Sequence, residues 1–296
     1  MKHRLLKCIM VFLGLTAAAC CVSIWISYNL LTVTRYRIES GKVNTPFRVV
    51  LLADLHDHQF GKDNKALLEQ VSRQQPDLII LDGDMVNRDS ADANTCLQVI
   101  RGLRKELPKV PLIFAMGNHE LDYIRAGHPD FQEELIKAGA AIADRTVSRM
   151  KIGNNNILVG GLYQYGFETG MQQEEDNASM QAYREVWNSS AGQKDFCIMC
   201  AHRPESFYCW YTADLWNVDL IVSGHDHGGQ VILPFAGGLY TSLEGFLPQF
   251  DFGLFYLGAE HDVPLIITRG LSSNIKKLPR FNNPPEITVI DIEPAS

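Results

Sequence analysis

Residues 218–230 read VDLIVSGHDHGGQ, an apolar run followed by glycines and two closely spaced histidines. The apolar part predicts a buried strand, and Gly224 allows the backbone to turn sharply after it. Residues two apart in an extended chain point to the same side, so we expect His225 and His227 to face one direction and Asp226 to face solvent. Two imidazoles aimed together suit one or two metal ions. A polar strand end with two solvated histidines is the alternative interpretation.

The amino-terminal 34 residues differ in composition from the rest of the chain. After Lys7 no charged residue occurs until Arg35, and residues 8–26 are almost wholly apolar. A bilayer core requires about 20 such residues in a helix, so we predict a single transmembrane helix. A cleavable signal peptide is the alternative, because the small residues at 17–19 resemble those before a cleavage site.

The basic residues give little guidance on the orientation of this helix. Three precede the apolar run and three follow it closely, so the positive-inside rule does not separate the two topologies. The short amino-terminal tail favours a cytoplasmic amino terminus and an extracytoplasmic domain. We therefore predict a cytoplasmic tail and transmembrane helix at residues 1–34, a linker at 35–46 and one large domain at 47–296. Residues 35–42 are alternatively a short first strand.

The composition of the large domain excludes some classes of partner. Of the 296 residues, 46% are hydrophobic, which is enough for a sizeable core. Beyond residue 36 the chain carries 23 Lys and Arg against 34 Asp and Glu, a net charge of −11. With no basic stripe, this balance argues against nucleic acid as a partner. Cys197 and Cys200 form a CxxC within an apolar run, where we interpret them as core thiols and not as a redox or zinc pair.

Apolar runs alternate with helical patterns in the first half of the domain. Residues 47–52, 78–81 and 110–115 are strand candidates, and residues 62–75 and 91–107 have helical spacing. This alternation predicts parallel strands covered by helices, and such sheets bind ligands beyond the carboxyl ends of their strands. Seven side chains suited to metal ions follow strand candidates of the whole domain: Asp54, His56, Asp84, Asn118, His202, His225 and His227.

The donors in this set are carboxylates, one amide oxygen and imidazoles. Such a mixture suits Mn²⁺, Fe or Zn²⁺ and differs from a structural zinc site, which relies on cysteine. Seven ligands are too many for one tetrahedral ion. They suit a pair of divalent ions that share a carboxylate.

The ordered motifs resemble those of the calcineurin-like metallophosphoesterases. DLH at 54–56, GDMVN at 83–87, GNHE at 117–120, His202 and GHDH at 224–227 occur in the family's order. The flanking TRG at 268–270 and PRFNNPPE at 279–286 look most like the membrane-anchored, single-span bacterial branch of that family. The resemblance implies an α/β fold, a four-layer α-β-β-α sandwich of two mixed sheets flanked by helices.

The resemblance also implies a role for each motif residue. Asp84 would bridge two divalent ions, and His119 would face the leaving-group oxygen, with Glu120 behind it holding the ring. Asn87 would support the ligands from outside, and we interpret His58 as a surface residue. The implied ligands of the first ion are Asp54, His56 and His227, and those of the second are Asn118, His202 and His225.

The implied activity is hydrolysis of a phosphate ester or pyrophosphate bond by a hydroxide held between the two ions. A membrane tether suggests a substrate in or near the bilayer, and some relatives in the branch act on a UDP-linked diacylglucosamine. A lipid-linked pyrophosphate is therefore one candidate substrate. A non-catalytic, membrane-anchored metal-binding scaffold is the alternative from another functional class. Residues 234–257, rich in glycine and aromatic side chains, either line the pocket and accept an acyl chain or form a loop packed over the core.

Overall fold

The computed structural model describes residues 2–162, 174–260, 262–275 and 278–295. Two six-stranded sheets form its centre, and each contains both parallel and antiparallel pairs. The first sheet has the order β1-β16-β2-β3-β4-β5, with antiparallel pairing only between β2 and β16 among its described strands. Its strands are β1 Thr32–Ser40, β2 Phe47–Leu52, β3 Leu78–Asp82, β4 Leu112–Ala115, β5 Ala141–Ala143 and β16 Glu286–Pro294.

The second sheet has the order β14-β15-β9-β8-β7-β6. Its two outer pairs, β14 with β15 and β6 with β7, are antiparallel, and the pairs between them are parallel. Its strands are β6 Val147–Ile152, β7 Asn155–Leu162, β8 Asp195–Ala201, β9 Leu220–Ser223, β14 Gly253–Leu257 and β15 Val263–Ile267. Two small hairpins lie between β9 and β14, formed by β10 Ile232–Leu233, β11 Gly237–Gly238, β12 Tyr240–Thr241 and β13 Gly245–Phe246.

Helices cover the outer faces of both sheets. The α-helices are α1 Lys2–Asn29, α2 Lys65–Arg73, α3 Asn94–Glu106, α4 Asn118–Arg125, α5 Phe131–Ala138, α6 Glu174–Ser190 and α7 Glu205–Tyr208. Three short 3₁₀ turns occur at Lys62–Asn64, Cys209–Leu215 and His227–Gly229.

Three buried apolar layers hold these elements together. The middle layer joins the two sheets face to face, and in it the rings of Phe47 on β2 and Phe196 on β8 meet edge to face at 5.9 Å. One outer layer joins α2 and α3 to the first sheet, and the other packs Tyr183 and Trp187 of α6 against the second. The predicted four-layer α-β-β-α sandwich of mixed sheets is confirmed.

The segment that follows α1 is a strand and not a linker. Only Leu30 and Leu31 separate α1 from β1, which pairs in parallel with β16 over its full length, from Thr32 to Ser40. Of the two interpretations of this segment, the short strand is the one that the structure shows for residues 35–40. Charged side chains occupy alternate positions because β1, as an edge strand, keeps one partly solvated face.

The amino-terminal helix is long and apolar, but its last two turns touch the domain. Residues 3–29 are sufficient in length and composition to cross a membrane, a property that a signal sequence shares. Most of its large apolar side chains are exposed. Ser27, in contrast, is fully buried, and Tyr28 accepts a hydrogen bond from the backbone nitrogen of Arg280 at 3.2 Å. The end of this helix is thus a packed part of the fold.

Candidate metal centre

The predicted ligands converge at the carboxyl ends of strands from both sheets. Asp54 and Asp84 lie two residues beyond β2 and β3, and His202 follows β8 directly. His225 lies two residues beyond β9, and Asn118 begins α4 after β4. Because the two sheets pack face to face, these ends meet at one edge of the sandwich, as the strand-end rule predicts.

The backbone turns sharply at most of these ligands. Such left-handed conformations are uncommon for residues with a side chain and concentrate at functional sites, where the surrounding structure holds them in place. Five of the seven candidate ligands have positive φ: Asp54 at 57°, His56 at 47°, Asp84 at 51°, His225 at 72° and His227 at 48°.

Three groups of side chains could each hold a metal ion. They are Asp54 with His56 and His227, Asp84 with His202 and His225, and His56 with Asp84 and His119. Asp84 lies at the centre, since its Oδ2 is 3.2 Å from His202 Nε2 and 3.8 Å from His56 Nε2. His227 Nδ1 lies 3.8 Å from Asp54 Oδ1. Most of these separations exceed a hydrogen bond, and they are typical of atoms that surround a shared ion.

Several atoms at this centre are buried without a hydrogen-bond partner. They include His56 Nε2, His202 Nε2, His227 Nδ1 and Asn118 Oδ1. Burying a polar atom without a partner costs free energy, so such atoms normally have a protein, water or ion partner. All four belong to predicted ligands and are lone-pair donors to metals. The residues present therefore fit a divalent metal centre.

Hydrogen bonds from outside the centre orient two of the imidazoles. His56 Nδ1 lies 3.0 Å from Asn87 Oδ1, whose amide nitrogen also donates to the carbonyl of His56 at 3.0 Å. His202 Nδ1 donates to the carbonyl oxygen of Asp82 at 2.7 Å. Both contacts place the proton on Nδ1 and leave Nε2 free as a ligand atom. The structure thus puts Asn87 in the supporting position that the resemblance implies.

Buried acids outnumber nearby cations at this centre. Burial raises the pKa of Asp54 to about 7 and that of Asp82 to about 8. Burial also lowers the pKa of His56 to about 4, so that this ring is neutral. The cost of holding these carboxylates ionised away from water falls when a cation binds beside them. The electrostatics therefore favour the same conclusion as the geometry.

Glu120 does not hold the His119 ring, and that expectation is wrong. Its carboxylate accepts backbone N–H groups from the turns beside it: Asp84 at 2.8 Å, Met85 at 2.7 Å, Val86 at 3.3 Å and Gly117 at 2.8 Å. These donors ring the carboxylate because the chain after β3 and the start of α4 both turn towards it. Glu120 therefore positions the Asp84 turn.

The His119 ring is held by the backbone of Arg88 and faces Asp84. Arg88 N donates to His119 Nδ1 at 3.1 Å, which leaves the proton of the neutral ring on Nε2. Nε2 lies 3.9 Å from Asp84 Oδ2 and 3.2 Å from the side-chain amide of Asn274, whose oxygen accepts the Nε2–H when the amide is turned towards the ring. Sequence reasoning missed Asn274. Applying the strand-end rule to β15, which ends at Ile267, would have drawn attention to this loop.

The turn at residues 224–230 differs from the prediction in two ways. His225 and His227 do not share a direction through strand alternation, because β9 has already ended and both have positive φ. They contribute to different ligand groups. Asp226 is 7% exposed and does not face solvent. Burial, and to a lesser extent the charge of Glu205, raises the pKa of Asp226 well above its ordinary value.

His58, predicted at the surface, is half-buried between Phe60 and Tyr28, with ring separations of 4.7 Å and 6.3 Å.

Comparison with known proteins identifies the same family as the motifs. The calcineurin-like phosphoesterase family model matches residues 47–229. The chain belongs to the calcineurin-like phosphoesterase family. It is 27% identical to the uncharacterized metallophosphoesterase YkuE of Bacillus subtilis, over 90% of this chain and 86% of YkuE. It is 25% identical to the phosphodiesterase YaeI of Escherichia coli, over 95% of this chain and 97% of that protein.

One further relative and one solved structure are also similar to this chain. The UDP-2,3-diacylglucosamine pyrophosphatase LpxG of Chlamydia muridarum is 25% identical over 94% of each chain. The crystal structure of a dimetal phosphatase from Danio rerio aligns with 76% of this chain and 88% of its own, at 12% identity and a TM-score of 0.44. As a calcineurin-like phosphoesterase, this protein is a hydrolase that acts on phosphate esters.

Three residues of this phosphoesterase beyond the predicted set, Arg280, Gly270 and Asn283, also shape the centre. Arg280 is fully buried and donates to the carbonyls of Arg269 at 2.9 Å and Ser272 at 2.6 Å, which fastens the loop after β15. In that loop Gly270 has φ +70°, and a Cβ there would come within 2.5 Å of Asp54 Oδ2. Asn283 donates to the carbonyl of His227 at 2.7 Å. The TRG and PRFNNPPE motifs thus brace the ligands.

A cavity of about 560 Å³ opens beside the His119 side of the centre. Its walls include His56, Arg88, Asn274, Pro279 and Tyr28, the last from the end of α1. The cavity is therefore lined in part by Tyr28, near the end of the apolar amino-terminal helix.

Proposed function

We propose that the protein hydrolyses a phosphate ester or pyrophosphate bond with two divalent metal ions, and that its substrate lies at a membrane surface. The observation that carries the proposal is the set of four buried, unpartnered ligand atoms described above, of which the three imidazole nitrogens lie 3.2–3.8 Å from carboxylate oxygens of Asp54 or Asp84. In a purely structural cluster such buried atoms would normally have hydrogen-bond partners within the protein.

The proposed ligand assignment follows two of the three groups, Asp54 with His56 and His227 and Asp84 with His202 and His225, and adds Asn118, whose Oδ1 is buried without a partner. Asp54, His56 and His227 would hold one ion, and Asp84 would serve as a ligand shared with the second. The oxygen and nitrogen donors suit Mn²⁺, Fe or Zn²⁺. The remaining ligands, those of the second ion, are Asn118, His202 and His225.

When bound, a pair of divalent ions activates water for attack on phosphorus and offsets the charge of the phosphoryl oxygens. The chain supplies the rest of the chemistry. His119 directs its Nε2–H towards the leaving-group oxygen, and the backbone of Arg88 maintains that tautomer. The side-chain amide of Asn274 lies 3.2 Å from the same nitrogen, and its oxygen accepts the Nε2–H when the amide is turned towards the ring. Glu120 keeps the Asp84 turn in place.

Two observations support a substrate at the membrane. Tyr28, near the end of the apolar helix, lines the cavity on the leaving-group side. The relative named as a UDP-2,3-diacylglucosamine pyrophosphatase covers 94% of this chain. A substrate of that type, a lipid-linked pyrophosphate, places its phosphates at the depth where the end of a spanning helix emerges. We propose such an amphiphilic phosphate ester as the substrate class.

We also propose that α1 stays attached and spans the membrane once, with the phosphoesterase domain outside the cytoplasm. The contacts of Ser27 and Tyr28 with the domain support retention, because removing the helix would leave their backbone partners without acceptors. Protease protection of intact cells and of inverted vesicles tests the orientation. Degradation of the domain only in inverted vesicles would show that the domain lies in the cytoplasm, which contradicts the proposed orientation.

The decisive experiment uses the full chain purified in nanodiscs and loaded with Mn²⁺. Metal is counted by mass spectrometry, and turnover is measured on a phosphomonoester, a phosphodiester and a lipid-linked pyrophosphate. We expect two ions per chain and cleavage of the lipid-linked substrate. Asp84→Asn removes a charge from the shared ligand position and should lose both metal binding and cleavage. Asp130 is an exposed acid at the start of α5, so Asp130→Asn should keep both.

Each part of the proposal can fail separately in that experiment. A chain that binds no metal contradicts the whole proposal. Turnover confined to soluble phosphomonoesters contradicts the membrane substrate and leaves the metal chemistry intact. Two bound ions with no cleavage of any phosphate ester would favour the alternative, a non-catalytic metal-binding scaffold.

A further inference from the structure

The hairpins between β9 and β14 carry an apolar surface that the metal centre does not use. Residues 231–250 include a single charged residue, Glu244. Its carboxylate accepts the backbone N–H groups of Gln249 at 2.9 Å and Phe250 at 3.0 Å, so it is occupied within the loop. The large apolar side chains exposed on these hairpins are Phe235, Tyr240, Leu243, Phe246 and Leu247.

The two hairpins that carry these side chains are joined to each other by backbone hydrogen bonds. Leu239 N donates to the carbonyl of Val231 and Leu247 N to that of Leu239, at 2.8 Å and 2.9 Å, which ties one hairpin to the other. The rings of Tyr240 and Phe246 meet at 5.3 Å. A contiguous exposed apolar patch on a soluble domain marks a site of interaction with another molecule or with a membrane.

Hydrogen bonds through Asn282 attach the first hairpin to the apolar helix. Asn282 N donates to Ser23 Oγ of α1 at 3.0 Å, and the side-chain amide of Asn282 donates to the carbonyl of Ile232 at 3.0 Å. Ile232 N also donates to the carbonyl of Phe281 at 3.0 Å. One residue thus lies between the helix and the strand that leads to Phe235.

The position of Ser23 along α1 indicates how deep these contacts lie relative to the bilayer. About 20 helical residues cross the hydrocarbon core, and counted from Cys8, the first residue after Lys7, that length ends at Ser27, one turn beyond Ser23. The exposed ring of Trp25 lies two residues after Ser23, near this end of the span, where aromatic side chains favour the membrane interface. Three extended residues reach about 10 Å, so Phe235 lies within reach of the lipid headgroups from Ile232.

We propose that the two hairpins form a second membrane contact, in which Phe235 and its apolar neighbours enter the lipid headgroup region beside α1. The contact rests on the proposed function, since it requires α1 to remain in the bilayer. The partner is the lipid surface, because the patch is joined to the spanning helix by hydrogen bonds. With the helix end and the hairpins both fixed, the domain cannot rotate freely, and the cavity lined by Tyr28 keeps a constant height above the lipid.

Photo-crosslinking of the full chain in lipid nanodiscs tests this contact. The photoreactive residue p-benzoylphenylalanine replaces Phe235 in one variant and Ile136 in a matched control. Ile136 is also an exposed apolar side chain, but it lies on α5, next to β5 and at the opposite edge of the first sheet from β1. We expect lipid adducts by mass spectrometry at 235 in several-fold excess over 136. Equal labelling, or crosslinks from 235 to a second copy of the chain, would overturn the proposal.

A kinetic comparison adds a readout that is independent of crosslinking yield. We expect Phe235→Ser to lower turnover of a membrane-embedded substrate by about tenfold, the effect of losing roughly one buried aromatic contact. Turnover of a soluble phosphodiester should be unchanged, and Ile136→Ser should affect neither. Equal loss on both substrates would contradict a lipid contact. Release of the wild-type chain from membranes by alkaline carbonate would instead refute the proposed anchor.

Discussion

Ser27 Oγ, in the last two turns of the apolar helix, accepts a hydrogen bond from the backbone nitrogen of Asn283 at 3.0 Å. The side-chain amide of Asn283 then donates to the carbonyl of His227 at 2.7 Å. Two hydrogen bonds therefore connect the amino-terminal helix to a proposed metal ligand. Ser27 is fully buried, so water cannot replace either partner.

Replacing Ser27 by Ala should weaken the metal centre from a distance. The change leaves the buried N–H of Asn283 without an acceptor, at a cost of about 1–3 kcal/mol. We expect weaker Mn²⁺ binding by titration calorimetry of the full chain in detergent. Thr16→Ala is the control, because the Thr16 hydroxyl donates to the carbonyl of Phe12 within the same helix. Equal metal affinity in both variants would show that the Ser27 contact does not extend to His227.

Removing the helix should destabilise the domain. A fragment that starts at Arg35 lacks Ser27 and Tyr28 as acceptors and shortens β1, which begins at Thr32. A fragment that starts at Cys21 keeps these contacts. We expect a lower melting temperature for the shorter fragment in the same detergent, measured without metal. Identical melting curves would mean that the helix end is bound only loosely to the domain.

Glu120→Gln distinguishes a supporting role for Glu120 from a role in orienting His119. A carboxamide offers one acceptor oxygen where the carboxylate accepts four backbone N–H groups, and its own N–H groups would face those donors. We expect a loss of stability of about 2–4 kcal/mol, together with weaker metal retention. The control is Glu133→Gln on the exposed face of α5. Unchanged stability with reduced turnover would instead support contact with His119.

His119→Ala should reduce catalysis without removing the ions. His119 lies beside the proposed ligands and directs Nε2 towards the leaving group, so we expect turnover to fall by about 10²-fold or more. The loss should be smaller for p-nitrophenyl esters, whose leaving group needs little help, than for alkyl esters. Metal content by mass spectrometry should match the wild type. A loss of metal in this variant would make His119 a ligand.

Glu286 should give a distinct pH dependence of stability. Burial alone would raise the pKa of Glu286, but Arg269 and hydrogen bonds from Thr34 and Thr268 outweigh it and hold the pKa below its ordinary value. A depressed folded pKa stabilises the protein above the unfolded value, about 4.3, and this contribution is lost as the pH falls through the folded value. Comparing Glu286→Gln with wild type, we expect a stability difference at pH 7 that shrinks on acidification. A stability difference that stays constant with pH would contradict a lowered pKa of Glu286 in the folded protein.

The candidate ligands could be found from the sequence because each belongs to a local pattern. An apolar run predicts a buried strand, and a polar residue just beyond it predicts a position at the ligand-binding edge. Asp54, Asp84 and His202 follow this rule, and the structure brings them together. The order of the motifs identified the family, and with it the four-layer sandwich.

Other features depended on contacts between residues far apart in the chain. Glu120 accepts N–H groups from a turn more than 30 residues earlier, and Asn274 reaches His119 across 155 positions. The burial of Asp226 follows from positive φ at the histidines on either side, which ends the strand alternation assumed for it. No local pattern specifies such partners.

The sequence by itself determined which residues follow the strands and what chemistry they offer, because strand formation and side-chain identity are local properties. The tertiary structure alone decided how those residues are supported. The backbone turns at the strand ends, the buried Arg280 and the docking of Ser27 all depend on groups that meet only after the two sheets have packed. The partners of a buried hydrogen bond are the donor and acceptor that the fold brings together. Spacing along the chain does not reveal which groups will meet.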